Sequence, residues 1–273
     1  MSPVFTPSCT VLHCTSLHSV FFNSYHYHSL YSNVSTVPIL VMVLGATSLM
    51  WEPDSRVPEA RSSATSVRVP TRGVYILGGF RTSTTSTLLR PGATSWVPGP
   101  TLPGGGAQGG CAVALGDHGF LLIGGIPHYD QVREFNMETG QWLEEKRWDK
   151  LLTGRYKHGC SVLGDQIVVA GGHDTDGNIL NSTEVLSISQ KTRKPGGRLH
   201  AGRAHHAMVT LGGEGDSHTL YAMGGYVGNS NVERSVERFD EDKFSWVIEV
   251  TGLQEGRTGM GAVAIRTADI CPT

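Results

Sequence analysis

The chain has 273 residues, with 22 Lys and Arg against 24 Asp and Glu and a formal net charge of −2. That balance excludes a strongly basic nucleic-acid binder and gives no electrostatic pull toward an anionic membrane surface. With 39% hydrophobic residues, 35 Gly and 13 Pro, the composition is that of a turn-rich globular protein, and five Cys without a Cys-x-x-Cys pair indicate neither a zinc finger nor a disulfide framework.

Residues 1–50 contain no Asp, Glu, Lys or Arg. Within them, residues 37–50 form an apolar run broken by Gly45, Thr47 and Ser48, too short for a membrane span. The segment reads as a disordered tail or a start placed too early, with a signal-peptide remnant as the alternative. Its histidines, His13, His18, His26 and His28, share no fixed spacing, so no metal site is expected there. Residues 51–62 read as a linker or the trace of a preceding repeat, since Trp51 lies 45 residues before Trp96.

From residue 63 the chain is self-similar. Four apolar runs each end in a glycine pair: Gly78-Gly79, Gly124-Gly125, Gly171-Gly172 and Gly224-Gly225, spaced by 46, 47 and 53 residues. The longest interval holds a polar insertion at 212–218, read as a lengthened turn. Trp96 and Trp142 each follow the second glycine of their pair by 17 residues, and Trp246 follows its own by 21. Phe135-Asn136 precedes Trp142, and Phe239-Asp240 precedes Trp246. Each unit opens on Gly and Arg: Gly154-Arg155 with His158, Gly202-Arg203 with His205 and His206, and Gly256-Arg257. Short β-branched and apolar runs between Gly, Pro, Asp and Asn predict four strands per unit. Strand a follows the Arg, b ends in Gly-Gly, c carries the aromatic–polar pair, and d starts near the Trp. No segment shows a helical period, 137–150 included. Four strands at this period are the signature of a β-propeller blade.

These ordered features resemble kelch repeats over about residues 63–267, followed by a tail at 268–273. The resemblance implies an all-β, kelch-type β-propeller of four-stranded antiparallel blades with strand a innermost, and Phe135, Phe239 and the tryptophans packed between blades. Four complete blades are visible, so the expectation is a fragment of a larger ring or a five-bladed one. In the latter, 37–51 and a lone strand at 260–265 would contribute the closing blade. The third unit lacks a Trp, and the first has Leu89-Arg90 in place of an aromatic–polar pair.

Cys111 and Cys160 each follow a Gly where other units place Ala207 and Ala262, which predicts a small buried apolar site rather than redox or metal chemistry. The run His173-Asp174-Thr175-Asp176-Gly177-Asn178 fails the calcium-loop pattern, since Gly and Glu are not at its sixth and twelfth positions, and reads as a b–c turn. Asn33 and Asn181 head sequons that matter only in a secreted chain. The d–a and b–c loops of a propeller emerge on one face, so the candidate binding rim is Arg155, His158, His173, Asp174, Arg203, His205, Tyr226 and Arg257, with Lys157, Tyr129, His128 and Asn229 nearby. Arginine forks suit the carboxylates of an acidic peptide; the competing reading is that they bond a neighbouring blade's backbone. No catalytic triad, phosphate loop or zinc motif appears. The expectation is therefore a protein-interaction module without cofactor, metal or nucleic acid, resembling scaffold proteins or ubiquitin-ligase substrate adaptors, and cytoplasmic. The alternatives are a secreted or cell-surface kelch protein, or a sugar-binding or copper-oxidase relative of galactose oxidase using residues such as Tyr129, Tyr156, Tyr226, His158 and His205.

Overall fold

A computed structural model describes residues 40–44, 51–80, 82–212, 218–262 and 264. A hairpin of β1 (Leu40–Leu44) and β2 (Trp51–Arg56) comes first, with Leu44 opposite Trp51. The first blade follows as β3 (Thr65–Val69), β4 (Gly73–Leu77), β5 (Ser86–Leu89) and β6 (Val97–Pro98). The second is β7 (Cys111–Ala114), β8 (Gly119–Ile123), β9 (Val132–Asn136) and β10 (Gln141–Trp142), trailed by a single 3-10 turn at Glu145–Arg147. The third is β11 (Gly159–Leu163), β12 (Gln166–Ala170), β13 (Thr183–Ser187) and β14 (Arg193–Pro195). The fourth is β15 (Ala207–Gly212), β16 (His218–Met223), β19 (Val236–Asp240) and β20 (Ser245–Ile248), with a small hairpin, β17 (Tyr226–Gly228) and β18 (Asn231–Val232), in its b–c loop.

Every blade is an antiparallel sheet in the order a-b-c-d, and the inner strands β3, β7, β11 and β15 lie beside one another in succession. This is a β-propeller. The second strands of the second and third blades are apolar from Phe120 to Ile123 and from Ile167 to Ala170 because both of their faces are covered by neighbouring blades; all five residues of Gly119–Ile123 are buried. The core therefore lies between blades. Val67, Leu77, Phe120, Leu122 and Phe135 fill the first interface, Leu121, Ile123, Ile167, Val169 and Leu186 the second, and Val168, Leu220, Phe239 and Trp246 the third. Each such side chain contributes on the order of 1.5–3 kcal/mol by leaving water.

The aromatic positions join these interfaces. Phe135 lies 5.3 Å from Trp142, and Phe239 5.1 Å from Trp246, in the same cross-strand pair of c and d. Trp96 packs on Val57 and Ile76, on the other side of the first blade. The third blade has no Trp of its own, but Trp148, from the loop before it, is buried under the Lys191 ammonium at 4.3 Å.

The glycine pairs sit where blades touch. Gly171 and Gly172 have φ of +63° and +91°, and a Cβ on Gly171 would stand 2.4 Å from the carbonyl oxygen of Arg203 in the next blade. Only glycine fits both constraints.

Two expectations are corrected. Cys111 and Cys160 are not an apolar pair: they form a disulfide that joins the inner strands of the second and third blades, with Cα atoms 6.0 Å apart. Their separation of 49 residues is about one repeat, which places them on matching parts of adjacent strands. Second, residues 260–262 and 264 carry no strand, and no sheet partner pairs with them among the described residues. The expected turn at 212–218 falls largely outside the described residues. Among the described residues no helix is long and apolar enough to cross a membrane.

Candidate functional site

The arginine that opens a blade is a clamp. Arg155 and Arg203 are completely buried. Arg155 donates from Nη1 to the carbonyls of Gly171 (2.9 Å) and Ser182 (3.1 Å), and from Nη2 to Glu184 Oε1 (2.7 Å). Arg203 repeats the pattern with Gly224 (3.0 Å), Ser235 (3.2 Å) and Glu237 Oε1 (2.5 Å). Each side chain thus ties the opener to strands b and c of its own blade. Its main-chain carbonyl meanwhile accepts from the second glycine of the preceding blade, Gly125 N–H for Arg155 (2.9 Å) and Gly172 N–H for Arg203 (2.8 Å). Both charges are matched by a buried carboxylate and out of reach of a partner. The expectation that Arg155 and Arg203 face an acidic peptide is corrected accordingly.

His158 also leaves the rim. It is buried, with Cε1 2.8 Å from where a Gly124 Cβ would stand and Cβ 2.7 Å from that of Gly172, so it is wedged between the glycine pairs of two blades. His206 occupies the same place one blade on, against Gly171 and Gly225. Burial, and then the nearby guanidinium of Arg155 or Arg203, holds both imidazoles neutral: His158 is pushed well below its ordinary value and His206 down to about 3.

Arg61 and Arg133 complete the clamp set, and sequence reading passed over both. Arg61 donates to the Gly78 and Thr85 carbonyls (both 2.9 Å) and to Glu59 (3.0 Å), but lacks the preceding glycine that marks the other openers. In the second blade the opener position is Ala107, and the guanidinium comes instead from strand c: Arg133 donates to the Pro103 and Gly106 carbonyls. Arg133 pairs with Leu122, as Glu184 pairs with Val169, so an arginine stands where the next blade has its glutamate.

The remaining rim residues do converge. Tyr156 stacks on His173 with ring centroids 5.2 Å apart, and Tyr129 stands edge-on to Tyr156 at 5.9 Å. His173 is in turn 6.0 Å from His205 and 6.4 Å from Tyr226. One connected aromatic surface therefore crosses the loops of three blades, each ring half-buried. Tyr156 and Tyr129 belong to it as fully as the expected His173, His205 and Tyr226; their signal was position, one residue after Arg155 and inside the b–c loop. Asp174 instead folds back on its own turn, accepting from the N–H groups of Asp176 (2.9 Å) and Asn178 (2.8 Å). Arg257, in the last opener, is exposed.

Beneath the rings runs a main-chain belt. Gly109 N–H donates to Ser63 O (2.8 Å), Lys157 N–H to Gly109 O (2.5 Å), His205 N–H to Lys157 O (2.8 Å) and Gly259 N–H to His205 O (2.9 Å). All five residues are left-handed, with φ between +54° and +67°. His173 Nδ1 lies 3.1 Å from the Gly177 carbonyl, so Nδ1 carries the proton and Nε2 is left as an acceptor. Burial, with Lys157 nearby, holds His173 below its ordinary value despite the opposing pull of that bond and of Asp174. Among the described residues no three of His, Cys, Asp and Glu lie close enough to hold a metal ion.

The kelch motif matches residues 154–199, from the clamp arginine of the third blade to its last loop. Alpha-scruin from Limulus polyphemus is 28% identical over 116 residues, covering 40% of this chain and 12% of the scruin. The chain thus spans about an eighth of that relative's length. A solved structure described as the structure of YjhT aligns with a TM-score of 0.59 at 18% identity, covering 75% of this chain and 69% of the other, a likeness of fold alone.

Proposed function

We propose that this kelch-repeat β-propeller is a protein-interaction module that takes an extended peptide or loop of its partner on the d–a and b–c loop face. The observation that carries the reading is the connected surface of Tyr129, Tyr156, His173, His205 and Tyr226, half-exposed rings from three blades held by a rigid scaffold. Half-buried tyrosine and histidine offer large rigid contact area with polar tips, the chemistry of recognition sites. The substrate-adaptor and scaffold roles both rest on this face.

Random peptides displayed on phage and selected on the folded chain test the reading. Selected peptides should bind wild type and lose about tenfold or more in affinity for a Tyr156→Ala, Tyr226→Ala double variant that keeps the wild-type melting temperature. Equal affinity of every selected peptide for both proteins would sink the proposal.

A second reading concerns the compartment. The Cys111–Cys160 disulfide supports the secreted alternative over the cytoplasmic one, because such bonds persist in oxidising surroundings. Trapping free thiols in protein taken directly from its source checks this: Cys111 and Cys160 both inert to the alkylating reagent favour secretion, and both alkylated favour the cytoplasm.

A further inference from the structure

We infer that the peptide seated on this face presents a carboxylate to the ammonium of Lys157, a recognition that rests on the reading of the face as a peptide site. Lys157 sits in the main-chain belt between Gly109 and His205, and its backbone is left-handed at φ +55°, an uncommon conformation for a residue with a Cβ. Its stem lies along the belt: a Cβ on Gly109 would meet Lys157 Cγ at 3.0 Å, so the absence of a side chain at Gly109 leaves the room that the stem occupies. The ammonium stands over Tyr156, one ring of the aromatic surface, 5.7 Å from its centroid.

Every other half-buried or buried cation described above has a mate or a set of carbonyls: Arg155 with Glu184, Arg203 with Glu237, Arg61 with Glu59, Lys191 with Glu134. Lys157 has no carboxylate within ion-pair distance among the described residues. Burial alone lowers its pKa, with no anion opposing the shift. A partly desolvated cation without a counter-charge gains from any anion that reaches it. The ligand's form follows from the donors. A single ammonium is a point charge suited to one carboxylate, whereas a phosphate recruits several cations or an arginine fork. The His173 ring stacked on that same Tyr156 leaves its unprotonated Nε2 as an acceptor, to which a peptide N–H next to the carboxylate would donate. The carboxylate is an Asp or Glu side chain or a C-terminus; both share this chemistry.

The test uses peptides selected on the full chain as above, resynthesised in three forms: unchanged, with each Asp or Glu replaced by its amide, and with an amidated C-terminus. Affinity for wild type and for Lys157→Gln is read by calorimetry. One uncharged form should bind wild type roughly tenfold more weakly than its parent, and Lys157→Gln should weaken the parent by about the same factor while leaving that form within about twofold. Loss on side-chain neutralisation identifies Asp or Glu; loss on amidation identifies the C-terminus. Should Lys157→Gln fail to fold, the neutralised peptides and a salt titration on wild type decide the matter alone. Peptides that need Tyr156 and Tyr226 yet bind equally well in all three forms would overturn the carboxylate and leave the peptide site standing. Peptides indifferent to the tyrosines would overturn the site itself.

Discussion

Arg203 and Glu237 are both fully buried and share a hydrogen bond, and the other oxygen of Glu237 accepts from the main-chain N–H and Nδ1 of His200, both at 2.9 Å. Replacing Arg203 by Met removes the buried counter-charge and leaves the carboxylate with its His200 contacts, and the expected cost is about 3–5 kcal/mol in urea denaturation. Adding Glu237→Leu to that variant should restore much of the loss, since an apolar pair leaves no charge unmatched. The sequence could not separate this clamp from a binding arginine. Whether such a residue is buried depends on a carboxylate 34 positions further on for Arg203 and 29 for Arg155, and no local pattern carries that information. Arg133 is the sharper case, since its guanidinium arrives from strand c while Ala107 holds the opener. The spatial role is filled, but from a different strand of the blade.

At the level of strands and blades, the glycine pairs, tryptophans and aromatic partners were legible because each answers a local demand that recurs at one period. A glycine pair is needed where strand b meets the next opener, and a large ring where c and d face a neighbouring blade. The disulfide was not read, because two cysteines one repeat apart look like any two equivalent positions until the inner strands are set side by side. It joins β7 to β11, so it ties the inner strands of the second and third blades to each other. A Cys111→Ala, Cys160→Ala variant should be less stable than the oxidised protein by roughly 2–4 kcal/mol, and a reductant should lower the urea midpoint of wild type but not of the variant. Equal midpoints in both would mean that the bridge adds nothing to blade docking.

Across the whole molecule, His158 and His206 are the same wedge at successive blade contacts, so their titration reports on the ring rather than on one loop. Both have folded-state values below the unfolded one, His206 at about 3. The sign follows: the unfolded chain takes up these protons first, so their contribution is fully present above about pH 6.5 and drains away as the pH falls below it, for His206 down to about 3. His206 should make stability drop by about 1.4 kcal/mol per pH unit over its window, and His206→Gln should shallow the slope by that share. An unchanged slope in a series of urea denaturations would show that carboxylates alone set the acid limb. The belt at the axis has a consequence of another kind. Its hydrogen bonds run between main-chain groups, so it asks of Ser63, Gly109, Lys157, His205 and Gly259 only that they tolerate one left-handed turn. Ser63, Lys157 and His205 already carry side chains on that turn, whereas a Cβ on Gly109 would press on the Lys157 stem at 3.0 Å. Glycine, asparagine or histidine can be exchanged at the first three at little conformational cost, which lets the mouth be relettered for a new ligand while the ring beneath it stays as it is.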